Sequence, residues 1–196
     1  MGCSISLLLV LFSWLPPGYR TVCGKLPAGW RDTAHKFLRQ NGRIYLVGMT
    51  QGLFPEPENI KYKCIRTTHR HAIGSIDRQL YYIEELQKDE NGEEPPEDHK
   101  KWTSKEAWLT FRVDKSNEVI HIGRIDNLIP VGVEQSFQVV EVDTQCLIIG
   151  AASDRNRRPD CTLWVTEKLV GQESHLCYSI FRQECGDTRI TVRNAD

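Results

Sequence analysis

Apolar and polar residues alternate along most of the chain from residue 43 onward. The alternating segments are rich in β-branched and aromatic residues and are bounded by Gly, Pro, Asn or Asp, which is typical of strands joined by turns. The pattern predicts eight strands, at 43–51, 59–70, 78–86, 106–114, 117–125, 135–143, 145–151 and 161–167. Consecutive strands without intervening helices indicate a mainly β fold, a single antiparallel meander closed into an eight-stranded barrel.

The period changes before the first strand. Trp30, Ala34, Phe37 and Leu38 recur at the spacing of one helical face, and Pro27 lies near the start of this segment. The pair Asn41-Gly42 follows and marks the end of the helix. The sequence therefore predicts one amphipathic helix ahead of the barrel.

A barrel of this size either fills its centre with side chains or holds one small ligand. Several strands carry polar or aromatic residues where a purely structural core would carry Val, Ile or Leu. These residues are Tyr62, Tyr82, Glu84, Glu141 and Trp164. Alternation places some of them on the outside, and the rest are candidates for the lining of a cavity.

The segment 107–113 shows the alternation clearly, with Ala107, Leu109, Phe111 and Val113 on one face. Before it lies a charged stretch, 87–105, which contains two adjacent prolines and predicts a solvated loop longer than a hairpin needs. This loop is a candidate lid or protein-binding surface. The whole chain has 25 basic and 26 acidic residues, a balance that argues against a nucleic-acid-binding protein.

The N-terminus begins with an apolar run, 5–15, that carries no charge and is followed by Pro16, Pro17 and Gly18. This pattern predicts a secretory signal peptide at 1–18, with cleavage after Gly24 as the alternative, and a single domain from 19 to 196. Cleavage after Gly18 leaves an even number of cysteines, which suits disulfides in an oxidising compartment. The N-terminal residues also fit the pattern for N-myristoylation at Gly2, with palmitate on Cys3. This alternative would indicate a membrane-anchored intracellular protein.

Motifs of catalysis and metal binding are absent from the sequence. His69 and His71 could share a strand face, but no third ligand stands out and arginines flank them. We therefore expect no catalytic residues, no metal site and no cofactor.

The sequence resembles the tick salivary lipocalins, the family that includes the histamine-binding proteins. The resemblance rests on the Trp-containing N-terminal helix, "RIYLVGMT" as first strand, "IKYKCIRTT" as second strand, and a cysteine, a Leu-Trp strand and two later cysteines within 161–185. It implies a lipocalin (calycin) barrel with an N-terminal helix and a C-terminal helix or extension. The Gly-x-Trp signature of lipocalins at large is not met, because Gly29 and Trp30 are adjacent.

The resemblance also implies a function. Family members are secreted monomers that sequester a small host mediator, histamine or serotonin above all, and so suppress inflammation at a feeding site without any turnover. Two alternatives follow from other relatives: capture of an apolar lipid mediator such as a leukotriene, or binding of a host defence protein through the loops.

Two positions decide between amine and lipid. Amine-binding relatives carry an acidic residue directly after the cysteine of the seventh strand and another directly before the Leu-Trp of the eighth, and here these are Leu147 and Thr162. An ammonium group removed from water needs carboxylates to replace its hydration. The loss therefore favours a more apolar ligand, contacted by the aromatic residues Trp108, Phe111, Phe137 and Trp164, with Arg66 and Arg112 facing a lipid carboxylate at the mouth. Tyr62, Tyr82, Glu84 and Glu141 complete the predicted site.

The family's disulfides, carried over by position, join Cys64 to Cys185 and Cys146 to Cys177. Cys23 and Cys161 remain, and by elimination they form the third predicted bond. These bonds would tie the C-terminal segment to the barrel.

Overall fold

The computed structural model describes residues 26–50, 60–70, 75–86, 102–114, 117–124, 136–151, 158–186 and 188–190, with the side chains of 60–62, 85–86, 102, 124 and 188–190 left out. The predicted signal peptide, Cys23 and most of the charged loop therefore lie outside the described residues. The elements are α1 (Trp30–Arg39), β1 (Ile44–Thr50), β2 (Ile60–Arg70), β3 (Ile76–Leu86), β4 (Trp102–Val113), β5 (Val119–Arg124), β6 (Ser136–Val142), β7 (Cys146–Ala151), β8 (Cys161–Thr166), α2 (Leu176–Glu184) and β9 (Thr188–Ile190).

Strands β2 to β8 pair in chain order, each antiparallel to the next, and β8 pairs with β1. The barrel closes where the start of β1, Ile44 and Tyr45, pairs with Thr67 and Arg66 of β2. The second half of β1 pairs instead with the short strand β9. The predicted eight-stranded antiparallel barrel with an N-terminal and a C-terminal helix is confirmed, and β9 is an addition that the alternation did not predict.

Helix α1 lies across one end of the barrel, which we call the floor. Its buried residues Ala34, Phe37 and Leu38 belong to the same apolar cluster as the inward-facing residues of the strands. Asp32 in the first turn and Lys36 in the last turn match the helix dipole. The opposite end, where β3 finishes and β4 begins, is called the open end.

The strands have an inner and an outer face, and each face belongs to a different apolar cluster. The inner cluster includes Ile44, Leu46, Leu147 and Ile149 together with the buried residues of α1. The outer cluster contains the alternate residues of β1, β7 and β8, such as Val47, Ile148 and Leu163, together with α2. Alternation along each strand thus produces two cores on the two faces of the same sheet.

Helix α2 packs on the outer face through Tyr178 and Phe181, which are both completely buried. The Tyr178 hydroxyl donates a hydrogen bond of 2.9 Å to the Leu169 carbonyl. Phe181 fits over Gly48 of β1, where an added Cβ would lie 2.7 Å from the ring. A glycine at that position therefore permits the close approach of the helix to the barrel.

Two disulfides fix α2 to the barrel. One joins Cys146 at the start of β7 to Cys177, the pairing that the resemblance implies, and the other joins Cys161 at the start of β8 to Cys185. The predicted bonds Cys64–Cys185 and Cys23–Cys161 are therefore wrong. The reason is geometric: α2 ends over β8, with 5.8 Å between the Cα atoms of Cys161 and Cys185, while Cys64 lies exposed on β2 as a free thiol.

Strand β4 begins at Trp102, four residues earlier than the alternation predicted. Its first residues pair with the end of β3, with Trp102 opposite Glu85. The charged stretch predicted as a loop at 87–105 thus includes the start of a strand.

Among the described residues, both helices fall short of the length and apolar character that a membrane span requires.

Candidate ligand-binding site

The inner faces of β7 and β8 carry the two positions where an amine binder would present acids. Leu147 is buried to 1% exposure and lies in the inner cluster. Thr162 is buried too, and it pairs with Ile149 on one side and Met49 on the other, both of which belong to the inner cluster. Both predicted site residues therefore face the barrel interior, and neither brings a charge.

Trp164 also faces the interior, since it pairs with Leu46 and Leu147 in the neighbouring strands. Those two leucines are each 1% exposed, whereas Trp164 is only partly buried. Its indole Nε1 donates a hydrogen bond of 2.9 Å to the Thr162 hydroxyl oxygen. This bond satisfies the polar edge of the indole and leaves its faces for apolar contact.

Three further predicted aromatic residues line the interior. Phe111 of β4, Phe137 of β6 and Tyr82 of β3 are buried members of the inner cluster, with 7%, 4% and 4% exposure. The register places them at different heights: Phe111 lies opposite Ile76 near the floor, whereas Tyr82 lies opposite Lys105 toward the open end. The interior is thus mostly apolar and partly aromatic.

Trp108 does not belong to this site. It lies between the buried inner residues Ala107 and Leu109, so alternation turns it to the outer face. There the guanidinium of Arg70 stacks over its ring, with 4.0 Å from Cζ to the ring centroid. The predicted ligand contact is wrong, and the contact observed is a cation–π pair on the barrel surface.

Glu141 is the second correction. Strict alternation from Phe137 would place Glu141 inward, but a bulge follows Val139 and shifts the register by one residue. Glu141 then lies opposite Ile148, which belongs to the outer cluster. An irregularity of one residue therefore moves this carboxylate to the outside.

The arginines predicted to meet a ligand carboxylate are on the outer face as well. Arg66 lies over the ring of Tyr81, 5.9 Å from Cζ to the centroid. Arg112 is exposed between the inner residues Phe111 and Val113. Neither side chain faces the interior.

The polar residues at the open end come from β3 and β4 instead. Glu84 follows the inner residue Tyr82 by two positions, and Tyr62 of β2 lies directly opposite Glu84 in the register. Lys105 lies opposite Tyr82 on the same face. Its Nζ is 3.7 Å from Oε2 of Glu84, and the two side chains are 41% and 25% exposed. Glu84 thus lies on the inward face, next to a lysine that the sequence did not single out.

A second cation, Arg78, is buried at the floor with 1% exposure. Its guanidinium donates to the carbonyl oxygens of Leu38 in the last turn of α1 and of Gln40 and Gly42 just beyond it, at 2.7, 3.2 and 2.9 Å. It also donates to the hydroxyl and carbonyl oxygens of Thr67, at 2.7 and 3.1 Å. Burial lowers the pKa of Arg78 to about 10, so that it stays charged at neutral pH.

Sequence reasoning missed Arg78 and Lys105. Arg78 alternates in phase with Ile76, Leu80 and Tyr82. A cation in this otherwise apolar row was the signal in the sequence that could have identified Arg78 as a buried residue. Lys105 lies at the end of a charged run that was interpreted as loop. The start of β4 follows from its pairing with the end of β3, and the hydrophilic residues before Glu106 carried no local sign of that pairing.

The part of the chain that the structure describes contains one group of three potential metal ligands, formed by Asp143, Cys146 and Cys177. Both sulfurs are joined in a disulfide and offer no thiolate. The group therefore consists of a structural disulfide and the carboxylate of Asp143 beside it.

No family model and no curated protein matches the chain. Among solved structures, Japanin from Rhipicephalus appendiculatus bound to cholesterol has a similar fold, with a TM-score of 0.59 and 18% sequence identity. The match covers 81% of this chain and 96% of Japanin. Together with the barrel, the terminal helices and the disulfides, it shows that the chain has the same fold as Japanin, a lipocalin barrel.

Proposed function

We propose that the protein is a secreted lipocalin that captures one small, largely apolar host mediator inside its barrel and lowers the free concentration of that mediator at a feeding site. The action is stoichiometric binding without turnover. Two disulfides support an oxidising, extracellular location. The resemblance to salivary proteins supports the role in suppressing host inflammation.

The observation that carries this proposal is the partial exposure of Trp164 at an inward-facing position between two fully buried leucines. A side chain in the middle of a barrel wall keeps exposure on the inner face only where space adjoins it. The surrounding residues are apolar, and contact between an aromatic ring and a lipid body is the interaction that such a site offers. The binding of cholesterol by Japanin, a protein of similar fold, supports a ligand of this kind.

An amine is the weaker candidate. Thr162 and Leu147 offer no carboxylate, and the Thr162 hydroxyl already accepts a hydrogen bond from Trp164. The carboxylate of Glu84 is already beside Lys105. Near Trp164 the ammonium group of histamine or serotonin would lose its hydration shell and find no carboxylate to replace it. This loss would cost several kcal/mol of binding free energy.

The test is a titration of the purified mature protein with two neutral lipids, cholesterol and oleyl alcohol, and two amines, histamine and serotonin. Calorimetry gives stoichiometry and affinity, and tryptophan fluorescence reports the environment of the indoles. We expect at least one lipid to saturate at one molecule per chain and both amines to bind at least a hundredfold more weakly, the factor that about 3 kcal/mol represents.

The substitution Trp164→Phe provides the link to the site, and Trp108→Phe provides its matched control on the outer face. We expect Trp164→Phe to abolish most of the fluorescence change and to weaken lipid binding, while Trp108→Phe leaves both unchanged. Tight histamine binding would contradict the choice of ligand. Absence of binding by all four compounds would contradict capture itself.

A further inference from the structure

Building on the proposed function, we propose that the ligand is an amphiphile with an anionic head, which binds beside Lys105 at the open end with its apolar body directed toward the floor. Lys105 is then the residue that determines specificity for the charge of the ligand.

The first step is the position of Lys105. The register of β3 and β4 runs without a shift from Ile76 to Glu85, so that residues opposite each other share a face. Ala107, two residues after Lys105 on the same face, is completely buried, and Tyr82 opposite Lys105 is 4% exposed. Lys105 itself is 41% exposed. The inner row therefore passes from buried apolar residues to a lysine that solvent reaches at the open end.

The second step is the geometry of the ion pair. The distance of 3.7 Å between Lys105 Nζ and Glu84 Oε2 exceeds that of a hydrogen bond. Glu84 therefore attracts the ammonium group without accepting one of its protons. An ammonium carries three donors. Lys105 can donate to a ligand carboxylate or sulfate while Glu84 stays in place.

The third step is the charge of the interior as a whole. Arg78 is buried at the floor, and its five acceptors are neutral oxygens. The partial negative charge at the end of α1 offsets part of the arginine's charge. Among the side chains that the structure describes, Glu84 is the inward-facing carboxylate, and it already has Lys105 beside it. The described part of the interior therefore carries a net positive charge, which favours an anion over a cation.

The test uses one hydrocarbon body with three heads: oleate, oleyl alcohol and oleylamine, each kept below its critical micelle concentration. We expect the unmodified protein to bind oleate most tightly and oleylamine least tightly. Lys105→Met keeps the length and apolar character of the side chain and removes its charge. It should weaken oleate binding about three- to fivefold, the effect of one partly exposed charge pair, and leave oleyl alcohol unchanged.

Glu84→Gln should act in the opposite direction and tighten oleate binding, because it removes the carboxylate that repels the ligand head. Lys63→Met is the matched control, since Lys63 is an exposed lysine of β2 opposite Ile83 and outside the inner row. A thermal unfolding midpoint for each variant establishes that it is folded.

The outcomes separate this inference from the proposed function. If the three compounds bind equally, or Lys105→Met and Lys63→Met weaken oleate to the same extent, the lipid-binding function stands and the role of Lys105 is wrong. If oleylamine binds best and Lys105→Met tightens it, the charge preference is the reverse of that proposed. If neither cholesterol nor any of the oleyl compounds binds, both proposals fail.

Discussion

The inner and outer faces of β1, β7 and β8 are built from the same strands and are filled to different extents. On the outer face, Leu163, Tyr178 and Phe181 are completely buried beneath α2. On the inner face, Trp164 keeps part of its surface exposed among buried leucines. The difference agrees with the proposal above, in which the outer layer completes the fold and the inner layer takes up the ligand.

The two helices that cover these faces are held in different ways. Helix α2 is joined to β7 and β8 by two disulfides. The end of α1 is held by hydrogen bonds from Arg78 to three carbonyl oxygens. A covalent attachment does not depend on pH near neutrality, whereas a polar one responds to substitution and to charge. The outer layer should therefore be the stable part of the molecule and the floor the adjustable part.

Phe181→Ala tests the outer layer and should have the largest effect. Removing a completely buried ring from a filled core should lower the free energy of unfolding by about 3 to 5 kcal/mol. Because the ring lies outside the barrel, lipid affinity of the folded protein should not change. Denaturant unfolding with the disulfides intact measures the first quantity, and calorimetric titration measures the second.

Leu176→Ala is the control on the same helix, because Leu176 is 62% exposed. It should cost little stability. If Phe181→Ala lowers lipid affinity in protein that is demonstrably folded, the two faces are coupled and the separation described above is wrong.

The contrast between the faces was only partly predictable. Alternation located all eight barrel strands, and the helical spacing of Ala34, Phe37 and Leu38 located α1, because burial on one face dictates both patterns. Alternation also placed Phe111 on the same face as Ala107 and Leu109. It should have excluded Trp108 from the site, since Trp108 lies on the opposite face of the same strand.

The remaining errors arise from features that local pattern does not encode. The bulge after Val139 reverses the facing of Glu141. The adjacent valines Val139 and Val140 interrupt the alternation there, but the local sequence does not show which of them is the extra residue. The partner of Cys185 depends on where α2 ends relative to β8, which is a long-range property of packing. Charge misled the interpretation of Lys105, because a hydrophilic run is typical of loops as well as of strands at an open end.

Arg78→Met tests the floor. It removes the donors to Thr67 and to the carbonyl groups at the C-terminal end of α1, and relief of the buried charge offsets part of the loss. We expect the free energy of unfolding to fall by about 2 to 3 kcal/mol. Hydrogen exchange should become faster in α1 and remain unchanged in α2.

Arg78→Lys serves as the comparison, because it keeps the charge and lacks the planar fork of five donors. It should restore only part of the stability. If Arg78→Met is as stable as the wild type, apolar packing alone holds α1. The two helices would then differ in the apolar area that they bury and not in the type of interaction that holds them.

The smallest expected effect comes from His35 on α1. Burial lowers the pKa of His35 below its usual 6.5, nearby Arg39 and Arg31 lower it further, and Asp32 partly opposes them. The unfolded chain therefore binds a proton at higher pH than the folded protein does. As the pH falls through 6.5, the unfolded state gains more protons, and stability decreases. The stabilisation is complete above pH 6.5 and declines below it.

His35→Gln should flatten this decline, so the difference in unfolding free energy between wild type and variant should change between pH 7.5 and 5. Carboxylates that titrate in both proteins cancel in the difference. Hydrogen exchange at pH 5 should show loosening in wild-type α1 that the variant lacks, with α2 protected in both. Parallel pH curves for the two proteins would contradict this role of His35. Equal loosening of α1 and α2 would show that acid weakens the whole barrel, including the layer fixed by disulfides. The floor would then not be the adjustable part of the molecule.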